Sequence, residues 1–289
     1  MRALADFIMR GRVQATLVVV ISAVLPLLFW LSAAAGSLVL LRRGFKDAST
    51  VIAGGLLAGL AIWFMGDPIT FMVFAGALGL AALLRAEHSW SRVLVASAVF
   101  AVVFSHVLDS EMAQTFDALA KAVAEAMPRI EGQPVLSGEV IRPLLVASTA
   151  VTVQLFSVLA LVLARYWQAA LYNPGGFGRE FRALRLPKQT MLVLVAVMVG
   201  GPFIGSQFIV LASAASLVLV LAGIALMHGL VAQKRLAAFW LVGMYVTLLL
   251  LMQLIYPLLV VLAIVDSLID FRGRGASKDA GNGSANGEG

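Results

Sequence analysis

Polar side chains stand inside otherwise apolar stretches at Thr152 and, as the four candidates for a cavity, at His106, Gln154, Gln207 and Gln253. An amide or imidazole surrounded by hydrocarbon loses its hydrogen bonds to water, so each needs a partner helix, a wet cavity or a ligand. One reading makes them ties between helices. The other makes them the lining of a solute cavity, with Gln154 in mid-segment and Gln253 near Pro257, where freed backbone carbonyls would add acceptors. Gln207 stands at the outer end of its segment. The three histidines, His88, His106 and His228, lie in separate segments and there is no cysteine, so a metal centre, a thiolate nucleophile and a disulfide framework all lack their groups. Walker A, HExxH, GxSxG and dinucleotide fingerprints are absent. No catalytic residue, cofactor or metal is therefore expected, and the chain is not read as an enzyme.

A second group of residues interleaves cations and aromatics between Arg165 and Lys188. Trp167 suits the headgroup layer, Asn173, Gly175 and Gly176 belong to a turn, and Arg179, Arg182 and Arg185 recur every three residues. Such a segment anchors on anionic lipid, or it docks an anionic partner against arginines and glycine-rich backbone.

The elements that must carry these residues follow from composition. Of 289 residues 61% are hydrophobic and 12% charged, and mean hydropathy is +0.98. A water-soluble fold cannot hide that much apolar surface, and the class is an all-α polytopic integral membrane protein. The formal charge of +6 and pI near 10.1 then record which loops stay in the cytoplasm, and no nucleic-acid partner is expected. The first partner is the lipid bilayer.

The outermost apolar segments, Val13 to Leu41 and Leu236 to Val265, are too long for one helix each, since about 29 residues make a rod of ~43 Å against a hydrocarbon core of ~30 Å. Each holds a central proline, Pro26 and Pro257, so each is expected to break into two short helices or a re-entrant hairpin. Charge supports that. If both fold back, 18 of the 21 cations share one side; if each crosses once, only 12 do. A cleaved signal peptide ending near Ser32 would need an apolar region of only ~7 to 15 residues, and the first segment is read as membrane-embedded instead. The expectation is about eight to ten membrane helices in one domain, 1–272, of a bacterial inner membrane, with both termini cytoplasmic, the 165–188 loop cytoplasmic, the 109–143 loop periplasmic and a disordered cytoplasmic tail over 273–289.

Within the periplasmic loop, Met112, Phe116, Leu119, Val123 and Met127 align along one face of an amphipathic helix that Pro128 would end. Gly55 with Gly59, and Ser32 with Gly36, allow close helix approach.

The basic loop, Phe181-Arg-Ala-Leu-Arg-Leu-Pro-Lys188, Met227-His228-Gly229-Leu230, Tyr245, Pro257 and the ending Asp266-Ser-Leu-Ile-Asp270-Phe271-Arg272-Gly-Arg274 together resemble the YybS-like family of bacterial membrane proteins. Where that family normally has Gly before the last acid, this chain has Val265. The family is a domain of unknown function, similar in outline to the substrate-binding subunits of energy-coupling-factor transporters, and through that outline the resemblance implies capture of a small solute. No substrate-contacting motif carries over residue by residue. The other reading is a scaffold without transport that recruits a membrane or cytoplasmic protein through the basic loop. A sizeable half-polar cavity would favour the first, and a solid core with an exposed patch the second.

Overall fold

The computed structural model describes residues 2–127, 137–205 and 208–271. Gln207, Pro128 and the 273–289 tail fall outside them. The chain forms α1 (Arg2–Arg10), α2 (Arg12–Val24), α3 (Phe29–Arg43), α4 (Phe45–Phe64), α5 (Ile69–Glu87), α6 (Trp90–Glu111), α7 (Ala113–Ala126), α8 (Gly138–Tyr172), α9 (Gly176–Ala183), α10 (Lys188–Ile204), α11 (Ile209–Gln233), α12 (Phe239–Leu250) and α13 (Met252–Ile269), with no strand among the described residues. It is an all-α, multi-pass membrane protein. Six helices, α4, α5, α6, α8, α11 and α13, are long and apolar enough to cross a bilayer, or seven if α9 and α10, which meet at 67°, together count as one broken span. The shorter α2, α3 and α12 accompany them. Contacts divide the chain into two compact units, Met1–Phe177 with Val197–Ala215, and Gly178–Ala196 with Ser216–Gly289.

In the first unit the break in the first apolar segment falls at Pro26, as its missing donor requires. The chain doubles back there. Arg43, at the end of α3, donates to Met9 O at 2.6 Å, and Arg12, at the start of α2, pairs with Asp47 at 3.1 Å, so both open ends of the hairpin lie together. Helices of 13 and 15 residues reach only ~20 to 22 Å, short of a ~30 Å core. The apex of the hairpin, Leu25 to Leu28, is apolar and satisfies itself through Leu28 N to Leu25 O at 3.1 Å and Trp30 Nε1 to Leu27 O at 2.9 Å. Lipid offers no such partners. The turn holds Leu27 at φ +66°, a left-handed conformation that is uncommon for leucine.

Helix α3 is buried from Ser32 through Leu41 and packs on α2, α4, α5 and α8. Its run Ser32-Ala-Ala-Ala-Gly-Ser37 lets the neighbouring backbones close in. The glycines take up aromatic rings of α5: a Cβ on Gly36 would sit 3.0 Å from the Phe74 ring, one on Gly55 would overlap that ring, and one on Gly59 would meet Phe71 Cα at 3.0 Å. The Gly55–Gly59 motif therefore serves packing within the chain.

In the second unit α12 and α13 form the other hairpin. Five residues join α11 to α12, reaching at most ~18 Å. The end of α11 lies at α9, where His228 meets Phe181 edge-on at 5.3 Å. The end of α13 lies beside the residues that follow α9, where Arg185 pairs with Asp270 at 2.9 Å. The chain must therefore run out along α12 and return along α13. The break falls at Leu251, ahead of Pro257, which sits in the second turn of α13 and removes only the bond to Gln253 O. On the returning helix Leu259 presses its backbone against Gly223 of α11 too closely for any side chain there, and Tyr256 OH lies 2.8 Å from Ser216 Oγ.

The amphipathic helix α7 forms as the spacing predicts and packs on α8. It is Phe116 and Ala120 that are buried, while Leu119 and Met127 are exposed, so the buried stripe lies slightly around the helix from the one counted.

Candidate functional site

The two ends of the first unit carry opposite charge. Arg42, Arg43, Lys46, Arg85 and Arg92 sit at helix ends around the α3–α4 and α5–α6 connections. There Arg85 donates to Leu41 O at 2.5 Å, Gln168 Nε2 reaches the same oxygen at 3.3 Å, and the Arg42 guanidinium lies 4.0 Å over the Tyr172 ring. The last carbonyls of a helix have no partner of their own, and a cation there also meets the negative end of the helix dipole. The opposite end carries Asp67, Asp109, Glu111 and Asp117, with Glu111 accepting from Trp63 Nε1 at 3.0 Å.

At that acidic end α6, α8 and the start of α11 enclose a half-open cleft of about 260 Å³. Its polar wall is Ser105, His106, Asp109 and Arg142, and its apolar wall is Pro143, Val146 and Val210. His106 and Asp109 are three apart on α6, hence neighbours on one face. Arg142, in the second turn of α8, divides its guanidinium between two carboxylates: Nε donates to Asp117 Oδ1 at 2.6 Å and an Nη lies 2.7 Å from Asp109 Oδ1. The Asp109 oxygen is shielded from solvent and has this ion pair, but no aligned hydrogen bond. Ser105 Oγ donates to Val102 O at 2.7 Å and lies 3.4 Å from His106 Nδ1, so its proton is committed to its own helix. The cleft offers acceptors, one shared cation and an apolar floor, an arrangement for binding.

Of the four polar residues singled out in the sequence, His106 lines this cleft. Gln154 does not. It is buried at 2% exposure, donates to Ser97 Oγ at 3.0 Å and Ala214 O at 3.3 Å, and so joins α8 to α6 and α11, with its amide oxygen left without a donor among the described residues. Gln253 belongs to the second unit and is exposed. Asp109 and Arg142, which the sequence presents as loop charges, are the added members; the three-residue step from His106 to Asp109 was the available signal.

The 165–188 segment is less of a loop than its composition indicates, because α8 runs on to Tyr172. Trp167 is wholly buried, with its indole N–H unpaired among the described residues, and cannot serve as a lipid or partner contact. Small residues at Ser157, Ala160 and Ala164 form a stripe that continues into it at helical spacing, which draws the indole inward. Asn173 and Gly175 are exposed in the turn, Gly175 at φ +80°, and Gly176 is buried where a side chain would overlap that of Asn173. Arg179 and Arg182 are exposed on α9. Arg185 is not available to lipid: besides its pair with Asp270 it donates to Asp266 O at 3.0 Å and Ser267 O at 3.3 Å, closing the end of α13. Buried Asp266 in turn accepts from Phe271 N at 3.2 Å. His228 Nε2 lies 2.9 Å from Tyr245 OH. Among the described residues no three histidine or acidic side chains come together to hold a metal ion.

Compared with known proteins, the chain matches no family model, no curated protein and no solved structure.

Proposed function

We propose that the protein is a solute-binding protein of the bacterial inner membrane, of the kind that serves transport, with its site in the cleft of His106, Asp109 and Arg142. The observation that carries this is the cleft itself, where three helices leave room between a charged wall and an apolar one. Concave, partly apolar sites with a few convergent polar groups are the usual form of small-molecule sites. The cation-rich helix ends face the cytoplasm under the positive-inside rule, so the cleft opens toward the periplasm, beside the surface helix α7. The likeness of residues 165–274 to the YybS-like family points the same way. Gln154 acts in this reading as a tie between helices.

The test is a thermal-shift screen of the detergent-purified protein against vitamins, nucleosides, amino acids and amines. A binder at a hundred times its Kd stabilises by about 2.7 kcal/mol. His106→Trp, which fills the cleft from an exposed position, should abolish the shift and leave the free protein's stability unchanged. A screen without a specific shift, or a shift that survives His106→Trp, would defeat the proposal.

The scaffold reading keeps one supporting observation, the exposed Arg179 and Arg182 on α9. With Arg185 committed to α13, contact with anionic lipid or an anionic partner falls to these two. Replacing both with Gln should weaken binding to anionic liposomes about thirtyfold at low salt, at ~1 kcal/mol per cation. Equal binding of wild type to anionic and neutral liposomes would remove this role.

A further inference from the structure

We infer that the cleft takes a small organic cation, an ammonium group on an apolar body; this rests on the solute-binding reading above. The charges favour it. Among the described residues the ion pairs join Asp109 and Asp117 to Arg142, an excess of one negative charge in that triad, and Glu111 follows on the same helix end. Such a concentration of one sign in a partly enclosed site raises the local concentration of the opposite ion.

Hydrogen-bond capacity points the same way. An anionic solute would look to the guanidinium, but its Nε and one Nη are already turned to carboxylates, so the N–H groups left over belong to a cation whose charge two acids already outweigh. An ammonium brings donors instead. It meets the half-exposed Asp109 carboxylate, the lone pairs of Ser105 Oγ, whose proton goes to Val102 O, and the imidazole of His106. Pro143, Val146 and Val210 offer the solute's carbon body an apolar surface. A volume of about 260 Å³ lies just below the ~300 to 1,000 Å³ common for small-molecule sites, so the solute is small.

The test uses the full chain in detergent and three ligands of one shape: phenethylamine, 2-phenylethanol and 3-phenylpropionate, titrated by calorimetry. Phenethylamine should bind roughly tenfold or more tightly than the alcohol, the difference expected for a charge-assisted hydrogen bond, and 3-phenylpropionate should not bind. Asp109→Asn should weaken the amine about tenfold or more. Arg142→Gln removes the competing cation and should tighten it. Asp109→Asn keeps the shape of the site and gives its answer even if Arg142→Gln does not fold. Preference for 3-phenylpropionate, lost in Arg142→Gln, would overturn the cation assignment and leave the cleft as a solute site. Binding of none of the three would overturn it too, and the solute screen with His106→Trp would then judge the cleft separately.

Discussion

The two ends of the first unit use arginine in opposite ways. At the basic end Arg43 and Arg85 donate to Met9 O and Leu41 O, and Arg42 stacks on Tyr172. These cations close helix ends and lock neighbouring helices in register. At the acidic end Arg142, among the described residues, bonds to side chains only, Asp109 and Asp117, and open volume lies beside it. A guanidinium on a backbone carbonyl fixes structure, since that carbonyl has few other partners near the membrane. One held between two carboxylates leaves charge over for a ligand. The difference teaches that a charge count along the chain does not separate structural cations from available ones; the atoms each cation meets decide that.

The largest expected effect breaks or upholds the contrast outright. Because the native chain has no cysteine, Ser110→Cys at the acidic end and His88→Cys at the basic end can be labelled singly on intact spheroplasts. An impermeant maleimide should modify the first and not the second; the reverse pattern would invert the orientation. Next in size is packing beneath the basic end. Gly55→Leu must expel the Phe74 ring from between α3 and α4 and should destabilise by about 3 kcal/mol in a detergent unfolding titration, at the upper end of overpacking costs. An unchanged midpoint would mean that these helices do not meet as described.

Smaller effects sharpen the distinction between structural and available cations. Arg85→Gln should cost about 1 to 2 kcal/mol, because Leu41 O keeps only the longer bond from Gln168. Arg12→Gln, losing an exposed pair with Asp47, should cost under ~0.5 kcal/mol. Equal costs for the two would erase the claim that carbonyl-bound arginines are the structural ones. Gln154→Leu should shift stability by about 1 kcal/mol, the scale of interhelical hydrogen bonds in membranes, and leave solute affinity untouched.

Much of the fold was legible because its causes are local or additive. Proline in an overlong apolar segment and the sum of cations together forecast both hairpins, and the spacing from Met112 to Met127 forecast α7. The break ahead of Pro257 was misplaced because a proline in the second turn of a helix loses little, so the helix could start before it. What stayed hidden depends on distant partners. Arg185 looked like one of three lipid-facing cations until Asp266 and Asp270, more than eighty residues on, were found beside it. Gln154 looked like a cavity residue because one of its acceptors is a backbone carbonyl, Ala214 O, which no sequence pattern marks. Trp167 looked interfacial because helix α8 outlasts the apolar run that announces it.

The claim that matters most is that a solute occupies the cleft, and protection of a single cysteine tests it directly. Pro143→Cys places a thiol on the cleft wall of a chain that has no other, and Ser110→Cys places one at the same end outside the cleft lining. A solute from the thermal-shift screen, or phenethylamine, at saturating concentration should slow methanethiosulfonate labelling of Pro143→Cys at least tenfold and leave Ser110→Cys unaffected. Labelling of Pro143→Cys at the same rate with and without saturating solute would contradict the account.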